Sequence, residues 1–402
     1  MNVDRVLKSA LADHHSSRHI VDIAGIKIAK YVGELWTSMQ RQSSSLHEIS
    51  YRACFKAQLP KFFIEFLSQP GEVVYDPFSG RGTTAIEAGL LGRRVIANDI
   101  NPLSEILCRP RFSPPNISEL KKRLEQIPLH SRMTPDIDLS MFYHRTTLTE
   151  LISIKSYLTH KAELGSEDSL DRWIRMVATN RLTGHSKGFF SVYTLPPNQA
   201  VTQERQKLIN LRLEQKPEYR DTRALILMKS ISLLRHLDDV ERSNLVKAGK
   251  TARFLSENAK RTPIRHNSVQ LTVTSPPFLD IVHYTGDNWL RCWFNNVDIQ
   301  KVQERIAVHS NVTEWSKTMS LVFGDLYRIT KHGGWVAFEV GEVRRASIQL
   351  EEHVVPLGVR AGFAAEAIII NEQEFTKTSN IWGVKNNRRG TNSNRIVLFH
   401  KA

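Results

Sequence analysis

Residues 71–102, GEVVYDPFSGRGTTAIEAGLLGRRVIANDINP, constrain the fold more than any other stretch of the chain. VVYD at 73–76 is a short β-rich run, PFSGRG is a glycine-rich turn, and TTAIEAGLLG carries helix formers, with Gly92 as the stop. RRVIAND is a second β-rich run. Strand, tight loop, helix and strand in that order open a parallel α/β sheet. The loop also carries chemistry. Gly80 and Gly82 let the backbone approach a ligand closely, and the start of the following helix offers unpaired N–H groups to an anionic group. Asp99, ending the second strand, is placed to accept hydrogen bonds from ribose hydroxyls.

Three ligands compete for such a loop. A triphosphate-binding loop needs Lys after its last glycine, and here Thr83 follows Gly82. A dinucleotide accepts GxGxxA with an acid about 20 residues on, and Gly80 to Ala85 with Asp99 roughly meets that pattern. S-adenosylmethionine has a ribose and a methionine carboxylate but no phosphate. Asp76, directly ahead of the loop, suits this third ligand better, because an acid there meets the positive end of methionine and repels a pyrophosphate.

A second motif, Thr274-Ser275-Pro276-Pro277-Phe278, ends an apolar run, VQLTV. Two prolines fix the backbone and remove two amide donors, so nearby carbonyls are free to accept from something else. Ser275 adds a hydroxyl acceptor and Phe278 a flat face. The exocyclic amine of a nucleobase calls for that set, and such a base must leave the duplex to reach it.

The 402 residues carry a net charge of +14, which points to a polyanionic partner, nucleic acid before membrane. The charge is unevenly spread: residues 171–265 hold 19 Lys and Arg against 9 Asp and Glu, whereas residues 71–111 balance. Between the two motifs the stretches are helix-like, and after Arg265 the α/β pattern resumes. The organisation expected is a helical segment at 1–45, a sheet domain begun at 46–111 and completed at 256–402, and a basic helical insertion at 112–255 between them. Within that insertion Arg181, His185 and Lys187 are candidate phosphate contacts and Tyr193 a candidate stacking residue. Cys54, Cys108 and Cys292 share no CxxC spacing, which favours buried thiols over a disulfide or zinc framework, and no metal site is expected. No run of 18 apolar residues and no signal-peptide core are found, so a cytoplasmic protein without a membrane partner is expected.

DPFSGRGTT, the following DIN at 99–101, and TSPPF resemble the cofactor and catalytic motifs of the S-adenosylmethionine-dependent amino-methyltransferases of DNA. The segments CFKAQLPKFFIEFL (54–67), HGGWVAFEVGE (332–342) and NRIVLFHK (394–401) extend the resemblance to about half the chain. Ser-Pro-Pro-aromatic resembles the cytosine-N4 branch; the adenine-N6 branch more often has Asp or Asn before Pro-Pro. The resemblance implies a class I methyltransferase-like, doubly wound, mostly parallel sheet with S-adenosylmethionine as cofactor. It implies that Phe55, Lys56, Asp76, Phe78, Gly80, Gly82, Thr83 and Asp99 surround the cofactor. It further implies that Ser275, Pro276 and Pro277 orient the target amine, that Phe278 stacks on the flipped base, and that 112–255 recognises the target. A host-modification role beside a restriction endonuclease follows from the resemblance alone. Two departures stand out: Arg81 occupies a place where the family often has a small residue, and the insertion matches no recognition domain of readable specificity. Other readings stay open at this point: adenine-N6 methylation, RNA methylation such as at guanine N2, a nicotinamide dehydrogenase, or a nucleic-acid-binding module without activity. A cytosine-C5 enzyme needs a Pro-Cys nucleophile, which the chain lacks.

Overall fold

The computed structural model describes residues 17–33, 44–51, 55–130, 134–194, 200–277, 284–306, 309, 311–343, 348–372 and 393–402. The described residues begin with a β-hairpin, β1 (Ser17–Ile23) and β2 (Ile26–Gly33). Over these residues it corrects the helical reading of 1–45. Ala24 and Gly25 both have positive φ, +53° and +84°, the signature of a two-residue hairpin turn whose twist matches its strands. Asp22 accepts from the Gly25 amide and closes the turn. The β-branched residues Ile20, Val21, Ile23, Ile26, Ile28 and Val32 favour strands, and they are hidden from a periodicity count by interleaved Arg, His and Lys.

Helix α1 (Gln58–Leu67) precedes the expected unit, which forms as β3 (Val73–Asp76), α2 (Thr83–Leu90) and β4 (Arg94–Asn98). Helix α3 (Leu103–Cys108) follows directly. The insertion then supplies α4 (Ile117–Gln126), α5 (Arg145–Glu163), α6 (Ser169–Arg181), α7 (Gln203–Arg212), α8 (Thr222–Leu234) and α9 (Asp239–Gly249). Helices α8 and α9 are separate because Asp238 and Glu241 form a reciprocal cap that restarts the chain. Strand β5 (Arg253–Leu255) lies inside the stretch expected to hold no strand. At three residues it is too short to show alternation. The rest is β6 (Val269–Thr274), α10 (Tyr284–Phe294), α11 (Ile299–Arg305), α12 (Val312–Ile329), β7 (Thr330–Val340), α13 (Leu350–Ala361), β8 (Ala364–Glu372) and β9 (Ser393–His400).

The sheet runs β1-β2-β8-β9-β7-β6-β3-β4-β5. Pairings from β7 through β5 are all parallel, and β9 lies antiparallel between β8 and β7. This is a doubly wound, class I methyltransferase-like arrangement with the β1–β2 hairpin added beyond β8. Each face carries its own apolar core. On one, Phe63, Ile86 and Leu271 pack continuously with Phe142, Trp173 and Phe190 of the insertion. On the other, Trp315, Phe323 and Phe338 pack with Val354 and Phe399. The insertion therefore shares the core of one sheet face. Among the described residues, no helix is long and apolar enough to cross a membrane. Cys108 and Cys292 are buried free thiols, and Cys54 lies outside the described residues.

Candidate active site

Strand order reverses between β3 and β6, and in such sheets ligands settle in the crevice at the carboxyl ends of the strands on either side. A cavity of about 400 Å³ occupies that position. Its wall joins Phe78 and Gly80 after β3, Asp99 and Asn101 after β4, Glu257 to Lys260 after β5, and Ser275 and Pro277 after β6. The glycine-rich loop and the Ser-Pro-Pro turn, nearly 200 residues apart in the chain, thus face one space.

Asp76 lies just behind this wall, buried at 1% exposure. Its Oδ1 accepts from Thr274 Oγ1 at 2.6 Å and from the Phe78 amide at 3.1 Å. Its Oδ2 is buried with no hydrogen-bond partner. Burial outweighs those bonds and pushes the carboxyl up to about 7. The Thr274 bond also ties one motif to the other. Asp99 lines the cavity and braces the loop: Oδ2 accepts from the Gly80 amide at 2.8 Å and Oδ1 from the Asn101 amide at 2.9 Å. Burial raises it to about 6, against those two bonds.

Gly82 works differently from expectation. It is not part of the cavity wall; at φ +81° it turns the chain into α2, and a Cβ there would stand 2.3 Å from Cys108 Sγ. The close approach it permits is to helix α3 rather than to a ligand. Thr83 is buried beside it at the start of α2. Arg81 turns away from the cavity, donating to the carbonyls of His47 and Ile49. Its bulk therefore tethers residues 47–49 instead of narrowing the site. Phe55 packs against the core, and neither Phe55 nor Lys56 is part of the cavity wall.

At the turn, Trp315 Nε1 of α12 donates to the Pro277 carbonyl at 3.0 Å. One of the carbonyls expected to be free is thereby taken. Ser275 donates to the Glu339 carboxylate of β7, which also accepts from Asn394 Nδ2 at 3.1 Å. Burial raises Glu339 above the ordinary carboxylate range despite both bonds. Phe278 lies outside the described residues, as do His283 and most of the basic stretch 385–394. Trp289, two turns further on, donates to the carbonyls of Ala200 and Val201 and is a packing residue.

In the insertion, Arg181 stacks on Phe189 at 4.0 Å and His185 packs beside the same ring. Lys187 is exposed between them. The Tyr193 carbonyl accepts from Gln206 and Gln215, which fixes that end of the loop to α7. Sequence reasoning missed Glu257 to Lys260, Trp315 and Glu339. The first follow a three-residue strand, the second sits on a helix 38 residues past the turn it holds, and the third has no local signature inside WVAFEV.

The family model described as DNA methylase matches residues 13–105, the span that holds the cofactor-type loop. In this segment the chain is similar to DNA methylases. Type II methyltransferase M.MvaI of Kocuria varians is 30% identical over 32% of this chain and 28% of its own length. Type II methyltransferase M.BsoBI of Geobacillus stearothermophilus is 24% identical over 71% of this chain and 60% of its own length. The chain thus spans less than two thirds of the length of these relatives. A solved structure, TrmN from Thermus thermophilus, is 14% identical over 87% of this chain and 50% of its own, with a TM-score of 0.32. DNA methylases draw their methyl group from S-adenosylmethionine, and the site fits that cofactor. Asp76 Oδ2 is a buried acceptor in want of a donor, and Asp99 places a carboxylate on the cavity wall at the end of the second strand.

Proposed function

We propose that the methylase transfers a methyl group from S-adenosylmethionine to the exocyclic N4 amine of a cytosine turned out of DNA. The single observation that carries this reading is the one cavity walled by both the glycine-rich loop and the Ser-Pro-Pro turn. S-adenosylmethionine supplies a methyl group on a sulfonium, already electrophilic. Asp76 meets the methionine ammonium, Asp99 accepts from the ribose, and the Gly80 segment forms the wall between them. Ser275 and the Pro276 carbonyl accept from the target amine, which aims its lone pair into the cavity. The Pro277 carbonyl is occupied by Trp315, and so its part is to hold the turn still. Phe278 stacks on the base. Direct in-line transfer depends on alignment more than on acid–base groups, which is why fixing the turn matters. Cytosine N4 is favoured over adenine N6 by Ser275, where the adenine branch more often carries Asp or Asn. Residues 112–255 serve target recognition, and the Type II relatives suggest a partner endonuclease. The test is incubation with radiolabelled S-adenosylmethionine and unmethylated DNA. Label is expected in the DNA; tight cofactor binding with no label in DNA would contradict the reading.

Two expected results follow from the geometry. Asp76 and Asp99 must be ionised to receive a cation and ribose hydroxyls, yet burial holds them near 7 and 6. Affinity for S-adenosylmethionine is therefore flat above about pH 8 and falls below 7, by up to about tenfold per pH unit for the first carboxylate. Calorimetric titration at pH 8.5, 7.0 and 5.5 checks this, and Asp76→Asn should bind weakly with a flatter profile. A profile equally flat in the unaltered protein would remove Asp76 from the site. Trp315→Phe leaves the Pro277 carbonyl unmet and the turn loose, each costing on the order of 1–3 kcal/mol. Single-turnover transfer should slow by about tenfold or more, and an unchanged rate would show that the Pro277 bond is dispensable.

A further inference from the structure

Arg181, the last residue of α6, lies across the ring of Phe189 with its centre 4.0 Å away. Its Nε is enclosed without a hydrogen-bond partner, and Nη2 donates to a neutral acceptor, Asn180 Oδ1, at 2.7 Å. Gly188 passes over it: a Cβ at that glycine would stand 4.0 Å from Arg181 Nη1. Asn180 Nδ2 and Arg291 Nη2 both donate to the Ser50 carbonyl, at 3.2 and 3.0 Å, which brings the two guanidinium groups to one spot. Two residues back, Glu48 is shared by Lys229 and Arg235. Burial, then the Arg291 charge, lowers Arg181 to about 10, and burial, then the Arg181 charge, lowers Lys229 to about 8. Arg181 is a desolvated cation whose Nη2 meets a neutral acceptor, while Glu48 is already shared by Lys229 and Arg235; such a guanidinium is unfavourable unless an anion completes it. Ser50 leads directly into Tyr51, a residue of the cavity wall.

We propose that Arg181 and Lys229 form the seat for a backbone phosphate of the DNA close to the extruded nucleotide, with Phe189 fixing the guanidinium plane. The inference rests on the DNA reading above. A guanidinium suits this task because its fork matches phosphate oxygens, and stacking spares the entropy of ordering it. The same argument predicts the sign of a stability change. Removing a cation that awaits its anion should leave the free protein as stable as before or more so, whereas removing a structural arginine should weaken it.

The test is fluorescence anisotropy of a labelled duplex with the methylase at 50–300 mM salt, about the range over which phosphate contacts are resolved. Arg181→Met keeps the stack on Phe189 and loses the charge. It should weaken binding about tenfold at low salt and make the slope of log affinity on log salt shallower by about 0.9, one phosphate. Lys229→Met should do the same to the slope, and Arg181→Lys should restore it. Cofactor affinity and thermal midpoint should hold in all three. Unchanged duplex affinity and slope in Arg181→Met, or a lowered midpoint with loss of cofactor binding, would overturn the seat while leaving methyl transfer to DNA by the unaltered protein intact. An unaltered protein that bound the cofactor and RNA but neither bound nor methylated DNA would overturn the reading beneath it as well.

Discussion

Ser275→Ala should keep S-adenosylmethionine affinity within about threefold while cutting methyl transfer by a hundredfold or more, the loss that accompanies a misplaced reacting group. The expected split follows from position. The substitution takes away an acceptor for the target amine, and it leaves Asp76, Asp99 and Gly80 untouched. A second consequence distinguishes this from general damage. Glu339 would keep Asn394 but lose the Ser275 hydroxyl, one of the two bonds that offset its burial. Its carboxyl should then rise further, and residual transfer should take on a pH dependence displaced upward from that of the unaltered protein. Equal rates for Ser275→Ala and the unaltered protein would remove the turn from the chemistry.

Gly82→Ala should carry two separate costs, one in the backbone and one in packing. The φ of +81° is strained for alanine by about 1–2 kcal/mol. The new Cβ would also stand 2.3 Å from Cys108 Sγ and 2.9 Å from its Cβ, an overpacking worth about 1–3 kcal/mol more. Both penalties fall on the turn that carries Gly80 and starts α2, so cofactor binding and transfer should be lost together. Two comparisons separate the terms. Gly25 has a φ of +84° and open space around it, so Gly25→Ala should show only the backbone cost. Adding Cys108→Ala to Gly82→Ala removes the nearer clash and should recover part of the stability in denaturant melts. If Gly25→Ala and Gly82→Ala lowered stability equally, the contact with α3 would be irrelevant.

How much of this was legible beforehand depended on whether its cause was local. The strand–loop–helix–strand at 71–102 depends on neighbours a few residues apart, and β3, α2 and β4 form where the pattern places them. The α/β pattern read after Arg265 likewise forms, with α13 closed by Gly362 at φ +112° and followed by β8 and β9. The β1–β2 hairpin was hidden because its signal is a two-residue turn with positive φ at Ala24, a residue that does not announce one. The site's two motifs were legible, but their joints were not. Thr274 meets Asp76 across 198 residues and Trp315 meets Pro277 across 38, and neither pairing leaves a trace in spacing. Gly82 was legible as an obligatory glycine, yet the reason for it, the thiol of Cys108, depends on how α3 returns against the loop.

Methyl transfer to cytosine N4 is tested most directly by nucleoside mass spectrometry after the protein has been incubated with unmethylated genomic DNA and isotopically labelled S-adenosylmethionine. The predicted result is label in N4-methylcytosine, absent when Ser275→Ala replaces the unaltered protein. Label in N6-methyladenine alone would contradict the choice of base, and DNA free of label from a protein that binds the cofactor tightly would contradict the reaction itself.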